Sequence, residues 1–373
     1  AVVVVRTLGR ARPREAPPGS RRFRVALLNA GAPAPGMNTA ARAVVRTLLD
    51  RGHEALGIRN GFEGLLAGSI EELSWMNVHG WVGRGGAELG TNRKVPDGAE
   101  WGAVARALSA NRVEGLLVIG GFTGYEAAWR LLRAREEHPA LNIPVVCLPA
   151  AIDNNLPGAE LSLGADTALN SIVEAVDKIK QSAVAWRRAF VVEVMGAYCG
   201  YLAVAAGLAT GAERVYLHED PLTMARLEKD VRDLYDGFAK GKRLGLVIRN
   251  ENAHAVFSTE FLRRLFEAEG KGLFDARQAI LGHLQQGGNP SPFDRILATR
   301  LAIRCVEFLL KACGKGEAPA SFMGFEGGHL RFVDFAQFNA MVDREFRRSK
   351  NPWWRSWEPV AELLDRPVPG DAG

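Results

Sequence analysis

The sequence Leu-Pro-Ala-Ala-Ile-Asp-Asn-Asn-Leu-Pro-Gly occupies residues 148–158 and directly follows an apolar run with the length of a buried strand. In α/β proteins, ligands bind at loops that leave the carboxyl ends of strands. Asp153 in such a loop could act as a general base or hold a cation. Asn154 and Asn155 could donate hydrogen bonds to a phosphate or hydroxyl group. A polar turn between two prolines, without function, explains the stretch alone equally well.

The residues after this stretch predict a helix, a strand and a glycine-bracketed turn. Residues 166–183 have apolar side chains at helical spacing, and residues 189–195 read as a strand. The turn that follows is Gly-Ala-Tyr-Cys-Gly-Tyr at residues 196–201. Alternation of strands and helices along the chain predicts a doubly wound α/β architecture.

Four short motifs in this region, in this order, resemble the ATP-dependent 6-phosphofructokinase family. They are Ile-Asp-Asn, Gly-Ala-Asp-Thr-Ala-Leu-Asn, Val-Glu-Val-Met-Gly and Tyr-Cys-Gly-Tyr. The resemblance extends over about residues 23–364. It implies two doubly wound Rossmann-like domains with the site in the cleft between them.

Length and composition agree with this reading. A chain of 373 residues with 47% apolar residues can form two domains. No apolar run approaches the ~18 residues of a membrane span, so no membrane association is expected. The cysteines lack paired ligand spacing, which predicts reduced thiols in a cytoplasmic protein and no metal site. They are Cys147, Cys199, Cys305 and Cys313.

The basic character of the chain belongs to its first residues. Residues 1–22 contain six arginines and one acid, Glu15, so this arm carries the whole net charge of +5. A nucleic-acid role would depend on this arm alone, and a Pro- and Arg-rich linker is the better interpretation. In animal members of the resembled family, such a connector joins two homologous halves, and this chain resembles the second.

The expected domains follow from the same resemblance. Residues 23–164 and 278–304 are expected to form the first α/β domain, and residues 165–277 and 305–364 the second. Residues 365–373 are expected to be a tail.

A nucleotide site is expected only as a remnant in the first domain. Glycine-rich loops before helices suit phosphate, although they can also be plain strand–turn–helix connections. The resemblance assigns this remnant to Gly31, Arg84, Gly120 and Gly121. Active members have Gly-Gly-Asp where this chain has Ala-Gly-Ala at residues 30–32. Phe122 and Asn155 stand where the family has metal-linked aspartates, and phenylalanine cannot bind a hard cation. Asp153 is then a vestigial base.

The sugar-phosphate residues of the family have counterparts throughout the chain. Arg188 could instead lie at a helix end for dipole reasons, and His283 could be a structural histidine. Gln286 replaces an arginine of bacterial enzymes, which implies a ligand related to fructose 6-phosphate but different from it. The resemblance assigns sugar-phosphate binding to Arg93, Asn154, Asn155, Arg188, Met195, Gly196, Glu251, Arg277, His283 and Arg347.

Four further cations match effector-binding positions of the family. Arg42 and Arg46 lie on the first predicted helix, and Lys178 and Lys180 on the helix before residue 188. A solvated helix face explains each of them equally well.

The resemblance therefore implies the C-terminal, regulatory half of a eukaryotic-type 6-phosphofructokinase. The complete glycolytic enzyme uses ATP and Mg²⁺ to convert fructose 6-phosphate to fructose 1,6-bisphosphate, and no cofactor is firmly expected in this half. The expected partners are fructose 2,6-bisphosphate or fructose 6-phosphate, the catalytic N-terminal half, and further copies of the chain. One alternative is a self-sufficient kinase with Asp153 as base. A pyrophosphate-using relative is a weaker idea, because both metal-linked carboxylates are replaced.

Overall fold

The computed structural model describes residues 21–327 and 329–360. Most of the predicted linker and the predicted tail at residues 365–373 lie outside the described residues. The strands are β1 (Arg24–Ala30), β2 (Glu54–Ile58), β3 (Ile70–Glu72), β4 (Gly115–Gly120), β5 (Val145–Pro149), β6 (Arg188–Val194), β7 (Arg214–Tyr216), β8 (Leu244–Asn250), β9 (Asp275–Ile280), β10 (Ala320–Glu326), β11 (His329–Asp334), β12 (Val342–Asp343) and β13 (Arg348–Ser349).

The helices alternate with these strands over most of the chain. They are α1 (Met37–Asp50), α2 (Gly61–Leu66), α3 (Glu100–Ala110), α4 (Phe122–Ala134), α5 (Ala165–Trp186), α6 (Tyr201–Thr210), α7 (Met224–Ala239), α8 (Thr259–Glu269), α9 (Pro292–Lys315) and α10 (Phe338–Met341). Short 3-10 turns lie at Trp81–Gly83, Pro139–Leu141, Gly282–Gln285, Phe335–Gln337 and Trp353–Trp357.

The chain divides into two compact units. Among the described residues, the first contains 21–151, Leu156–Gly164 and Gly288–Val342. The second contains the described residues of Ile152–Asn155, Ala165–Gly287 and 343–360.

These units differ from the predicted domains in three segments. Residues 152–155 are predicted in the first domain but belong to the second unit. Residues 305–342 belong to the first unit, because α9 continues through residue 304 without a break and β10 pairs with β5. Residues 278–287 belong to the second unit, because β9 pairs with β6.

The first unit contains a sheet with the order β11-β10-β5-β4-β1-β2-β3 among the described strands. Its central pairs, from β10 to β2, are parallel, and the outer strands β11 and β3 are antiparallel to their neighbours. Strand order reverses on the two sides of β1, which places β1 and β4 at the centre. Ligands of doubly wound sheets bind at such a reversal.

Helices cover both faces of this sheet. Alternate residues of β1 point to opposite faces. Ala26 and Leu28 are buried in one cluster with residues of α2, α3 and α4. On the other face, the backbone of Gly115 in β4 lies next to Leu309 and Cys313 of α9. The predicted doubly wound α/β fold is confirmed.

The second unit is built on a parallel sheet with the order β7-β8-β6-β9. A buried apolar cluster lies between this sheet and helices α7 and α8, and it includes Val191, Leu234 and Phe266. Because β6 and β8 are neighbours and parallel, the loops after Val194 and Asn250 leave the sheet side by side. None of the helices in residues 21–327 and 329–360 combines the length and apolar character that a membrane crossing requires.

Candidate functional site

The glycine loop of the first unit is closed by its own backbone hydrogen bonds. Gly31 N–H donates to Asn92 O at 2.7 Å, and Gly121 N–H donates to Ala30 O at 3.3 Å. Gly31 has a φ of +103°, which favours glycine. A Cβ atom at Gly120 would lie 2.1 Å from Ala30 O, so this close approach of β4 to β1 requires glycine. Three predicted nucleotide residues, Gly31, Gly120 and Gly121, therefore meet at the ends of β1 and β4.

Phe122 is the first residue of α4, and its ring is buried in an aromatic cluster. Its ring centroid lies 5.8 Å from that of Phe338, which in turn packs against Tyr125 and Phe335. The side chain that is expected to replace a metal-linked aspartate therefore contributes to the core of the first unit.

The two predicted phosphate-binding arginines of the first unit are both exposed. Arg84 pairs with Glu88, with 2.9 Å between Nη1 and Oε1, and its guanidinium is therefore partly neutralised. Arg93 lies outside the helices and strands, in the segment before α3. The start of α1 supports their loop, because Asn38 Nδ2 donates to Gly85 O at 2.9 Å.

In the second unit, the turn after β6 is fastened by three consecutive residues at the end of β8. Glu251 Oε1 accepts hydrogen bonds from the amides of Gly196 at 3.2 Å and Ala197 at 2.7 Å. Asn250 Nδ2 donates to Cys199 O at 3.3 Å, and Asn252 Nδ2 donates to Ala197 O at 3.1 Å. The turn and Glu251, both predicted as sugar residues, therefore form one structure.

Glu251 holds the turn with Oε1 alone, because this oxygen accepts both amide hydrogen bonds. Gly196 needs its flexibility here, because its φ is +133° and a Cβ atom would lie 2.4 Å from Cys199 O. Beneath the site, the buried Arg249 pairs with Glu193 at 2.9 Å. Removing either partner would leave an uncompensated buried charge.

The turn after β9 adds His283 to this structure through Gln285. Gln285 is fully buried, and its Oε1 accepts from Met195 N–H at 3.0 Å. Its Nε2 donates to Gly282 O at 3.0 Å. His283 is exposed, and its Nδ1 lies 2.8 Å from Gln286 Oε1, which fits a ring N–H donating to the amide oxygen. Met195, Gly196, Glu251 and His283 therefore belong to one group of loops.

The loop with Asp153 is joined to the C-terminal segment of the same unit. Asn155 is buried, and its Nδ2 donates to Arg347 O at 3.0 Å. Ser349 N–H donates to Asn155 O at 2.9 Å. Asn154 has a φ of +50° and Arg347 one of +53°, a conformation that asparagine tolerates better than arginine does.

Asp153 lies close to the turn after β6. Burial raises the pKa of the Cys199 thiol, and the carboxylates of Glu219 and Asp153 raise this pKa further. The effect of Asp153 places its negative charge near Cys199.

Arg188 and Arg277 are not part of this group of loops. Arg188 begins β6, whereas the turn follows the end of that strand, roughly 20 Å away at the usual rise per residue. Arg277 pairs with Phe190 in the strand register, and its Nη2 contacts Asp275 at 3.5 Å, toward the beginning of β9. Arg188 Nε also faces Asp275, at 3.6 Å. Within one chain, both arginines belong to the opposite end of the sheet.

The four predicted effector cations separate into two groups. Arg42 and Arg46 lie one turn apart on α1, and burial lowers the pKa of both guanidiniums. Arg46 Cζ lies 4.1 Å from the centroid of the Trp75 ring.

The two lysines have partners of different kinds. Lys178 pairs with Glu174 at 2.6 Å on an exposed face of α5. Lys180 donates to Thr210 O at 2.8 Å, at the end of α6. The two lysines therefore do not share a face, because residues two apart on a helix point in different directions.

Sequence reasoning missed Asn250, Asn252, Gln285 and Arg348. The segment Arg-Asn-Glu-Asn at residues 249–252 attracts attention only through Glu251. Two asparagines flanking a carboxylate at a strand end could have indicated a backbone clamp, because asparagine both donates and accepts.

Comparison with known proteins gives a consistent result. The sequence model described as Phosphofructokinase matches residues 24–309. The ATP-dependent 6-phosphofructokinase of Dictyostelium discoideum is 44% identical over 339 residues, which cover 90% of this chain and 40% of that protein. The muscle-type enzyme of Homo sapiens is 39% identical over 377 residues, covering 97% of this chain and 47% of that enzyme.

A solved structure has the same fold. The crystal structure of Pichia pastoris phosphofructokinase in the T-state matches with a TM-score of 0.91 and 38% identity, covering 97% of this chain and 43% of that chain. This chain spans less than half the length of the curated relatives named above. The match over residues 24–309 shows that the chain belongs to the phosphofructokinase family.

Proposed function

We propose that the chain is the C-terminal, regulatory half of an ATP-dependent 6-phosphofructokinase and that it binds fructose 2,6-bisphosphate as an activator. The relatives are about twice as long as the matched region, which leaves room in them for a second half. The complete enzyme would transfer phosphate from ATP to fructose 6-phosphate in the cytoplasm. Four free, buried cysteines fit that reducing compartment.

The observation that carries this proposal is the burial of Phe122 among aromatic rings. Phosphoryl transfer depends on metal and on positioned phosphate groups. Phe122 offers no oxygen ligand to a hard cation, and its ring packs against Phe338. The amides of Gly31 and Gly121 are hydrogen-bonded within the unit. The residues present therefore do not fit ATP with Mg²⁺. Asp153 is then the remnant of a catalytic base.

The residues proposed for the sugar side, by contrast, are held by hydrogen bonds within the second unit. Glu251 Oε2 is positioned by the bond that Oε1 makes to the turn, and it would accept from a ring hydroxyl. His283 is exposed beside this turn and would donate to a phosphate oxygen. Asn154 and Asn155 would border the same pocket, and Arg93 and Arg347 are further candidates. Arginine at a bisphosphate offers a fork of donors to its oxygens.

The location of Arg188 and Arg277 supports an oligomer. In one chain these arginines lie too far from Glu251 to share a small sugar, so they would serve the site of another copy. Trp186 beside Arg188 is 69% exposed, and it would be covered by the same contact. The bound activator would shift the complete enzyme toward its active state by binding that state more tightly.

A kinase assay tests the regulatory assignment directly. The isolated chain with ATP, Mg²⁺ and fructose 6-phosphate should show background turnover only. Robust turnover that Asp153→Ala abolishes would establish the alternative, a self-sufficient kinase with Asp153 as base.

Calorimetric titration tests the ligand. Fructose 2,6-bisphosphate should bind more tightly than fructose 6-phosphate. Each charge-assisted hydrogen bond contributes roughly 1.5–3 kcal/mol, so Arg188→Ala or Arg277→Ala should weaken binding by about 10- to 100-fold. Arg264→Ala is a matched control, because Arg264 is exposed on α8 and pairs with Glu260. Equal affinity for both sugars would remove the activator assignment.

We infer a second, weaker anion site from Arg42 and Arg46. Neither has a carboxylate partner among the described residues, and the Nε of each is buried without a hydrogen bond. Lys178 and Lys180 are engaged by Glu174 and Thr210, so they would contribute little. Inorganic phosphate should protect the chain against thermal unfolding less in Arg42→Gln than in Arg51→Gln, whose arginine pairs with Glu307. Equal protection in both variants would remove this site.

A further inference from the structure

We propose that Arg348 is a positioning residue that couples the Asp153–Asn155 loop to the turn after β6. Arg348 belongs to the second unit, as do both of the loops it joins. It is not one of the predicted ligands, although its neighbour Arg347 is.

The backbone on both sides of Arg348 is bonded to Asn155. Arg347 O accepts from Asn155 Nδ2 at 3.0 Å, and Ser349 N–H donates to Asn155 O at 2.9 Å. Two hydrogen bonds on adjacent sides fix Asn155 against this short segment. The segment that carries Arg348 is therefore joined by two hydrogen bonds to the loop that contains Asp153.

The side chain of Arg348 reaches the other loop. Its Nη1 donates to Tyr198 O, in the middle of the turn. The same nitrogen lies 2.9 Å from Glu219 Oε1, and Glu219 Oε1 also accepts from Gly200 N–H at 3.1 Å. The turn is thus held at Tyr198 by the arginine and at Gly200 by the arginine's own partner.

Burial makes this connection stiff. The Arg348 side chain is 14% exposed and that of Glu219 is 3% exposed. Arg348 Nη1 also lies 3.1 Å from His218 Nδ1, and guanidinium can only donate, so Nδ1 is the acceptor. His218, Tyr198 and Phe346 contact one another, with centroid distances between 4.5 and 5.6 Å. The three rings lie beside the charge pair, and Arg348 Cζ is 5.1 Å from the centroid of the Phe346 ring.

Two loops that are distant in sequence are therefore expected to move together. The turn carries Met195 and Gly196 and is clamped by Glu251, while the other loop carries Asp153 and Asn154. Arg348 sets the spacing between them. An effect of Arg348 on ligand affinity rests on the proposed function. The coupling of the two loops by Arg348 does not depend on that proposal.

Hydrogen–deuterium exchange of the full chain tests the coupling without any ligand. In Arg348→Ala, amides in residues 152–156 and in residues 195–200 should both exchange about tenfold faster than in the wild type, because local opening becomes easier. Arg355→Ala is the matched control. Arg355 lies on the same C-terminal segment and pairs with Asp220 at 2.7 Å, but it contacts neither loop in the described structure. It should leave both segments unchanged.

Two milder variants keep the test decisive if Arg348→Ala does not fold. Arg348→Lys keeps the charge but loses the planar fork, and Glu219→Gln keeps an acceptor for Gly200 but loses the charge. Both should loosen the same two segments, to a smaller degree. Faster exchange in residues 343–350 with unchanged exchange in residues 152–156 would overturn the proposal, and so would a uniform increase throughout the second unit.

A second experiment measures binding of fructose 2,6-bisphosphate. Arg348→Ala should bind it at least about tenfold more weakly than the wild type, whereas the Arg355→Ala control should keep the wild-type affinity. If the wild type binds no sugar bisphosphate, the proposed function fails, and the exchange data still decide whether Arg348 couples the loops.

Discussion

The side chain of Glu251 accepts a hydrogen bond from the backbone amide of Ala197, with 2.7 Å between Oε1 and the nitrogen. Ala197 has a φ of +49°, a conformation that alanine adopts rarely, and the amide of Gly196 bonds to the same oxygen. The carboxylate therefore holds a strained turn in place. Its role in the fold and its expected role toward a ligand use different oxygens.

Replacement of Glu251 should separate these two roles. Glu251→Ala removes the acceptor of two amides, so the free energy of unfolding should fall by about 1–3 kcal/mol. Glu251→Gln keeps an acceptor oxygen and should lose less. Urea unfolding monitored by fluorescence measures the difference. Equal stability of the alanine and glutamine variants would show that the two amides do not depend on this side chain.

An aspartate at residue 122 should lower the free energy of unfolding and should not create kinase activity. Phe122→Asp removes a buried ring and places a carboxylate beside Phe338, so it should cost about 3–5 kcal/mol, the range for deleting a buried aromatic side chain. Phe122→Leu is the control and should cost about 1.5 kcal/mol or less. A stable aspartate variant with new Mg²⁺-dependent kinase activity would contradict this account of the site.

Two glycine substitutions should have opposite effects on stability. Gly120→Ala brings a Cβ atom to 2.1 Å from Ala30 O, so the strands must separate, at a cost of about 1–3 kcal/mol or more. Gly314 lies in α9, where an added methyl group would meet no atom of a neighbouring element within 4 Å. Gly314→Ala should therefore stabilise the helix by about 0.5–1 kcal/mol. Thermal melting of both variants checks the signs. If Gly120→Ala and Gly314→Ala melted at similar temperatures, the contact between β4 and β1 would have room for a methyl group at residue 120.

The stability of the second unit should depend on the protonation of His218. Burial lowers the pKa of His218, Arg348 lowers it further, and Asp343 opposes them. The unfolded chain then binds a proton near pH 6.5, where the folded chain does not. The stabilising contribution is therefore complete above that pH and is lost as pH falls toward the lowered pKa.

The variant His218→Gln isolates this effect, because glutamine keeps an acceptor for Arg348 but does not titrate. Urea midpoints measured at about pH 8 and about pH 5.5 should differ more in the wild type than in the variant. Identical pH dependence in the two proteins would show that His218 does not cause the effect. Glu219 cannot replace it as the cause, because burial raises the pKa of Glu219, which favours the folded chain toward low pH.

Local patterns predicted much of the fold. The apolar run before Asp153 is β5, and the helical spacing at residues 166–183 lies within α5 (Ala165–Trp186). The strand expected at residues 189–195 is β6, displaced by one residue. Each of these elements carries its own periodicity, so neighbouring residues were sufficient.

Contacts between distant residues left no such pattern. Asn155 and Arg347 are 192 residues apart, and Tyr198 and Arg348 are 150 apart. The same limit explains the misplaced boundary at residue 304, because the position of β10 beside β5 is set by pairing across the sheet. The direction of Arg188 and Arg277, away from the turn, likewise depends on strand register.

The direction of these two arginines should make the apparent affinity for the ligand depend on the protein concentration. If these arginines complete the site of another copy, association of chains and binding of the bisphosphate are linked equilibria, and each promotes the other. Dilution would then lower the apparent affinity for the bisphosphate, since it separates Arg188 and Arg277 from the other cations of the site. Sugar bisphosphate would in turn promote association of the chains. Its apparent affinity would rise with the protein concentration.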